Sequence, residues 1–253
     1  MIRTLSLLAV AVASSIGARF AFGRASDTEA ATGAAAPAVT SSTTTTAAVT
    51  STTAKRATTT TTLPATTTTL TRPIVIEVVS KSGWNARPTG AFGSHEPVRL
   101  TYHHTASGGS DPAEAPDRIR GYQRYHQDQG WPDVAYHYLI DQAGRIYEGR
   151  PVEAPGDTFT EYDPMGHFLP CLDGNFDIGP PSPESVDALV RVLGWASQTF
   201  EIDPQTLSGH RDHAATTCPG GYAYELRDEL VSRVEGMLAD GRPIELRLLD
   251  EIF

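Results

Sequence analysis

From Ser26 to Arg72 the chain is built mostly of Thr, Ala, Ser and Pro, with runs such as Thr58 to Thr62 and Thr66 to Thr69. Such a tract carries too few large apolar groups to offset the entropy of ordering it. Residues 26–72 are therefore expected to form a disordered linker, a stalk open to O-glycosylation. Ahead of it, Met1-Ile2-Arg3 supplies a positive start, Leu5 to Ile16 an apolar run, and Ala18 to Ala25 small residues. That is the anatomy of a secretory signal peptide over residues 1–25. The apolar run is shorter than the about 20 residues of a membrane span, so membrane contact is expected only if this segment stays uncleaved. The chain has 253 residues. What remains after the linker is enough for one domain, expected over 73–240 with a C-terminal tail over 241–253.

Charge is divided between the two parts. Residues 73–253 hold 14 Lys and Arg against 28 Asp and Glu, a net of −14. An acidic domain is a poor ligand for nucleic acid, where affinity comes from neutralising phosphates. It disfavours anionic polymers as well, which points to a neutral or zwitterionic partner.

Within the domain, Val98 to Thr105 reads as a strand. Alternation puts Val98, Leu100, Tyr102 and His104 on one face and Arg99, Thr101 and His103 on the other. The polar face is either half exposed or the floor of a cleft. Ile74 to Val79 is a second β-branched run. Ile119, Tyr122 and Tyr125 with His126 recur at helical spacing over about 116–129, and Gly130 is placed to end that helix. Val134 to Ile140 and Arg145 to Glu148 predict two strands joined by a turn at Asp141 to Gly144. Residues 151–168 form a long irregular loop, followed by a strand over Phe168 to Leu172. Ser182 offers an N-cap with Pro183 at the first helical position. Val186, Leu189, Val190, Leu193, Ala196 and Phe200 make an inward stripe behind them. A last helix is expected over Tyr222 to Leu238. Strands alternating with helices make this an α/β domain, a central mixed β-sheet flanked by helices.

Chemistry enters at Gly209-His210-Arg211-Asp212 and Cys218-Pro219-Gly220. Zinc takes imidazole nitrogen and thiolate sulfur, and three protein ligands leave a fourth position for water. His103, His210 and Cys218 would supply such a set. Two other readings compete on residues alone: a disulfide between Cys171 and Cys218, or a metal pair made by His210 and His213.

Six motifs in order carry a resemblance. They are Ser82-Gly83-Trp84-Asn85-Ala86-Arg87-Pro88, Tyr102-His103-His104-Thr105-Ala106, Trp131 to Ile140, Gly144 to Arg150, Gly174-Asn175-Phe176, and Gly209 to Asp212 with Cys218 to Gly220. Together, over about residues 75–238, they resemble the peptidoglycan recognition proteins and the phage-lysozyme-type N-acetylmuramoyl-L-alanine amidases. The resemblance implies one Zn²⁺ per chain held by His103, His210 and Cys218, with Tyr136 and Thr216 lining the reacting centre. Some members carry lysine where Thr216 stands. It implies that His104, His126, Trp131 and Asn175 face a peptidoglycan glycopeptide; Cys171 is then read as a buried thiol near the cleft. The implied reaction is hydrolysis of the amide between N-acetylmuramic acid and L-alanine, in a secreted or envelope-associated protein. The alternative is a peptidoglycan-binding module of the same fold that does not cut. Non-catalytic members typically lack the cysteine, which favours the enzyme. Residues 151–170 depart from the commoner pattern: Pro151 replaces a glycine-tryptophan pair, and Met165-Gly166-His167-Phe168 replaces a small polar run.

Overall fold

A computed structural model describes residues 72–109 and 111–251. The signal peptide expected over 1–25 and all but the last residue of the linker expected over 26–72 lie outside the described residues. β1 (Ile74–Val79) and β2 (Arg99–His104) open the sheet. A short turn capped by the Asp111 carboxylate, which accepts from the Ala113 N–H at 2.9 Å, leads into α1 (Ala115–Asp128). β3 (Tyr138–Ile140) and β4 (Ile146–Glu148) form an antiparallel hairpin. β5 (His167–Phe168) and β6 (Pro170–Leu172) each run parallel to β2. α2 (Pro183–Thr199) is followed by β7 (Ser208–Gly209), α3 (Gly221–Tyr224), α4 (Arg227–Ala239) and β8 (Ile244–Leu249). Parallel pairs β1–β4, β1–β8 and β3–β6 complete a mixed sheet.

The alternation read in β2 decides which face does what. Leu100 and Tyr102 join Ile76, Val78, Tyr138 and Ile140 in a core closed by Val186, Leu189, Leu193, Leu230 and Val234 of α2 and α4. Each such side chain, fully buried, contributes about 1.5–3 kcal/mol. On the opposite face Val79, Leu139 and Tyr147 pack with Trp84 and with Ala115 and Ile119 of α1. Thr101 and His103 point to that second face, and both are buried. α2 starts as expected: the Ser182 hydroxyl accepts from the Ser185 N–H at 3.1 Å.

Four local expectations change. The strand read from Val134 begins only at Tyr138, because the backbone donors of Val134 and Ala135 are taken by side chains. Val134 N–H donates to Asp133 Oδ1 (2.8 Å) and Ala135 N–H to His126 Nδ1 (3.1 Å), so these two residues offer no donor to a ladder. Backbone pairing resumes where the Tyr136 and His137 carbonyls accept from Arg150 and Gly149 N–H. Phe168 to Leu172 is interrupted at Leu169, next to Pro170, which lacks a donor. The last helix is broken into α3 and α4. Tyr125, on the expected inward stripe of α1, is exposed. The sheet also runs past residue 240: β8 pairs with β1 along its whole length, from Ile74↔Ile244 to Val79↔Leu249.

Candidate metal centre and cleft

Strand pairing assembles the centre. β7 lies against β2 with Gly209 opposite Tyr102, so His210, next in the chain, arrives beside His103 with ring centroids 4.7 Å apart. Glycine is required at 209, since a Cβ there would sit 2.7 Å from Pro219 Cδ and 2.9 Å from the Tyr224 ring. The Arg211 N–H donates to the Cys218 carbonyl at 2.8 Å and folds the loop back. The Cys218 sulfur then accepts from the His104 N–H at 3.4 Å and lies 3.5 Å from His103 Nδ1. Ligand atoms of His103, His210 and Cys218 all lie within 4.8 Å of one another, and all three residues are buried.

Both cysteines are free, which removes the disulfide reading. His213 is turned away: its Nε2 meets the Ser208 hydroxyl at 2.8 Å, and it is not among the clustered ligands. Burial, reinforced by His210, holds the His103 imidazole well below its ordinary pKa, and burial takes His210 down to about 4. Both rings are therefore neutral with a lone pair to give. Burial pushes the Cys218 thiol up to about 12. Such a thiol ionises near neutrality only against a cation. Two neutral imidazoles and one thiol fit a zinc ion with one coordination position left for solvent.

Around the cluster is a cleft of about 230 Å³ lined by, among others, His126, Trp131, Tyr136, Phe159, Thr160 and Thr216. The Tyr136 ring stands 5.3 Å from that of His103. Cys171 is buried beside His103 in the neighbouring strand. Burial keeps the Tyr136 phenol protonated. Gly149 lets the Tyr136 backbone pass, since a Cβ at 149 would lie 2.3 Å from the Tyr136 carbonyl oxygen. The Thr216 hydroxyl accepts from the Cys218 N–H at 3.2 Å. His126 and Trp131 stack at 4.8 Å on the cleft wall.

The profile described as N-acetylmuramoyl-L-alanine amidase matches residues 93–221. Peptidoglycan-recognition protein SD of Drosophila simulans is 34% identical over 157 residues, 60% of this chain and 84% of that protein. The chain belongs to the N-acetylmuramoyl-L-alanine amidase family. Among solved structures, Drosophila peptidoglycan recognition protein SD aligns with TM-score 0.55 and 32% identity, covering 59% of this chain and 91% of that one. A Drosophila PGRP-LB variant in complex with tracheal cytotoxin aligns with TM-score 0.54 and 25% identity over 59% of this chain and 92% of that one. The amidase LysC of Clostridium intestinale, at 23% identity and TM-score 0.52, covering 65% of this chain and 99% of that one, shares the fold.

Of the other two residues that the family pattern puts in the groove, His104 is on the cleft lining and Asn175 is not. Asn175 Oδ1 caps its own loop by accepting from the Asp177 N–H at 3.0 Å. It borders a separate depression with Ser107 and Ile178. His104 lies on the other side of β2 from His103, and its ring Nδ1 accepts from the Phe176 N–H at 3.3 Å. It touches the centre through its backbone, on the cysteine sulfur. Conversely, this amidase-family chain brings in residues that motif reading passed over: Phe159, Thr160 and Tyr162, all from the divergent loop. Phe159 is exposed and stacks 4.3 Å from Trp131. The loop's length was the one sequence signal that pointed there.

Proposed function

We propose that this chain is a zinc-dependent N-acetylmuramoyl-L-alanine amidase, secreted or held in the cell envelope, that cleaves the bond between N-acetylmuramic acid and L-alanine in peptidoglycan. The observation that carries the reading is the buried cluster of His103, His210 and Cys218, which offers three ligands of the right softness and, among the described residues, no fourth. A zinc ion bound there supplies Lewis acidity toward a carbonyl oxygen and toward water, bringing the pKa of water near about 7.

The chain's own residues do the rest. Tyr136, kept protonated by burial, is the donor placed to hydrogen-bond the oxygen on which negative charge develops. Thr216 braces the Cys218 backbone at the lip of the cleft. His126, Trp131 and Phe159 make an aromatic wall on which the glycopeptide lies. The acidic domain suits a neutral or zwitterionic muropeptide, and the relatives' names point to the same polymer.

Two expected results test this. Purified domain incubated with cell walls should release new amino-terminal alanine with zinc and none with a chelator. Zinc-loaded protein that stays on the walls without releasing alanine would instead indicate a binding module. Tyr136→Phe should lower kcat by about 10²–10³-fold, the usual effect of losing one such donor. Metal content, read by atomic emission, should be unchanged.

A further inference from the structure

Each imidazole of the centre has a second nitrogen, and in both rings it meets the divergent loop. His103 Nδ1 faces the cysteine sulfur, while its Nε2 lies 3.5 Å from the Tyr162 hydroxyl, at the outer limit of a hydrogen bond. His210 Nε2 lies 2.8 Å from the Thr160 hydroxyl. The next link leaves Thr160 free to be the acceptor in that bond. Thr160 Oγ1 is 2.8 Å from Thr158 Oγ1, which also accepts the Thr160 N–H at 3.1 Å. Thr160 can therefore accept from His210 Nε2–H and pass its own hydrogen to Thr158.

Tyr162 is held just as firmly. Its ring stacks on His213 (5.6 Å, 28°) and meets His167 edge-on (5.3 Å, 63°). Those two imidazoles are tied to Ser208 (2.8 Å) and to Thr101 of β2 (2.8 Å), and the two hydroxyls lie 3.1 Å apart. The pair His210 and His213, spaced as a metal motif, is thus split between two tasks.

We propose that Thr160 and Tyr162 are positioning residues of the metal centre: they accept the Nε2–H of His210 and His103, fix that tautomer in both rings, and leave both Nδ1 lone pairs for the ion. A neutral imidazole carries one ring proton, and a partner on one nitrogen decides which nitrogen is free. The inference rests on the zinc reading above. It also assigns a task to the segment that departs from the family pattern.

The test uses the full chain with Thr160→Val, Thr160→Ser and Tyr162→Phe, and reads the zinc dissociation constant by chelator competition. Thr160→Val should bind zinc about 10–100-fold more weakly, with Thr160→Ser restoring the affinity. Tyr162→Phe should weaken it by less, since its contact is longer. Metal-free wild type should show His103 and His210 as Nε2–H tautomers in ¹H–¹⁵N correlation spectra, a readout that stands even if a variant fails to fold. Thr160→Val binding zinc as tightly as wild type overturns the assignment. Tighter binding does so too, because the hydroxyl would then be standing in the ion's place. Nδ1–H tautomers in the metal-free protein overturn it as well. A zinc-loaded wild type with these tautomers but no hydrolysis would refute the proposed amidase while leaving the positioning role intact.

Discussion

Cys218→Ser is expected to abolish zinc binding and wall hydrolysis together while leaving a folded protein. The sulfur is the one ligand able to carry negative charge, and a serine hydroxyl does not ionise near neutrality as a metal-bound thiol does. Lewis-acid stabilisation is worth several kcal/mol, and about 4 kcal/mol corresponds to about 10³ in rate. Hydrolysis should therefore fall by at least about 10³-fold. The fold should tolerate the change, since the sulfur's backbone donor is the His104 N–H at 3.4 Å, which an oxygen can also satisfy. Released alanine, metal content and retention on sedimented walls would be followed together. Hydrolysis within tenfold of wild type would show that the reaction does not need the thiolate. Full retention without hydrolysis would show that recognition of the polymer resides in the cleft walls.

The metal-free domain is expected to unfold steeply as the pH falls from 6.5 toward 4.5. The chain has eight histidines, and burial holds the pKa of every one below its ordinary value. A group depressed in the folded state keeps its full contribution above the unfolded value of 6.5 and loses it as pH drops toward the folded value, because the unfolded chain takes up protons that the native one refuses. His137 has no room for a second proton. Its Nε2 donates to the Ala154 carbonyl at 3.0 Å, its Nδ1 accepts from the Leu169 N–H at 2.9 Å, and burial takes it to about 3. His126 and His167, outside the metal cluster, are taken to about 4, again chiefly by burial. At pH 5 each of these three is about 1.5 pH units below its unfolded pKa, a loss of about 2 kcal/mol apiece and about 6 kcal/mol together. That is comparable with the whole stability of a domain, about 5–15 kcal/mol. Thermal melts followed by circular dichroism from pH 7.5 to 4.5 would measure it. A melting temperature flat between pH 7 and 5 would contradict the burial of these rings.

Much of this architecture was legible along the chain. The two faces of β2 followed from alternation, because a strand's side chains must point to opposite sides. The start of α2 followed from Ser182 and Pro183, whose capping and fixed φ act within one turn. The cluster of His103, His210 and Cys218, three residues that could hold a metal ion, followed from residue chemistry joined to the family's motifs. β8 went unread although Ile244-Glu245-Leu246-Arg247-Leu248 alternates apolar and polar; what the sequence alone leaves open is its pairing with β1, more than 160 residues earlier in the chain. Nor was the irregular path of Val134 and Ala135 legible, whose backbone donors are captured by Asp133 and His126. Asn175 was picked out by its motif, and what the tertiary structure adds is that its amide oxygen closes a local turn.

Local chemistry by itself thus determined where strands and helices begin, which side chains face inward, and which atoms have an affinity for a soft cation. Only the tertiary structure decided that Thr160 and Tyr162 meet the outer nitrogens of His210 and His103, and that His213 stacks on Tyr162 outside the cluster. Those outcomes depend on contacts between segments about 50 to 60 residues apart. Such contacts are set by sheet register and by competition for hydrogen bonds, neither of which leaves a mark in nearby residues.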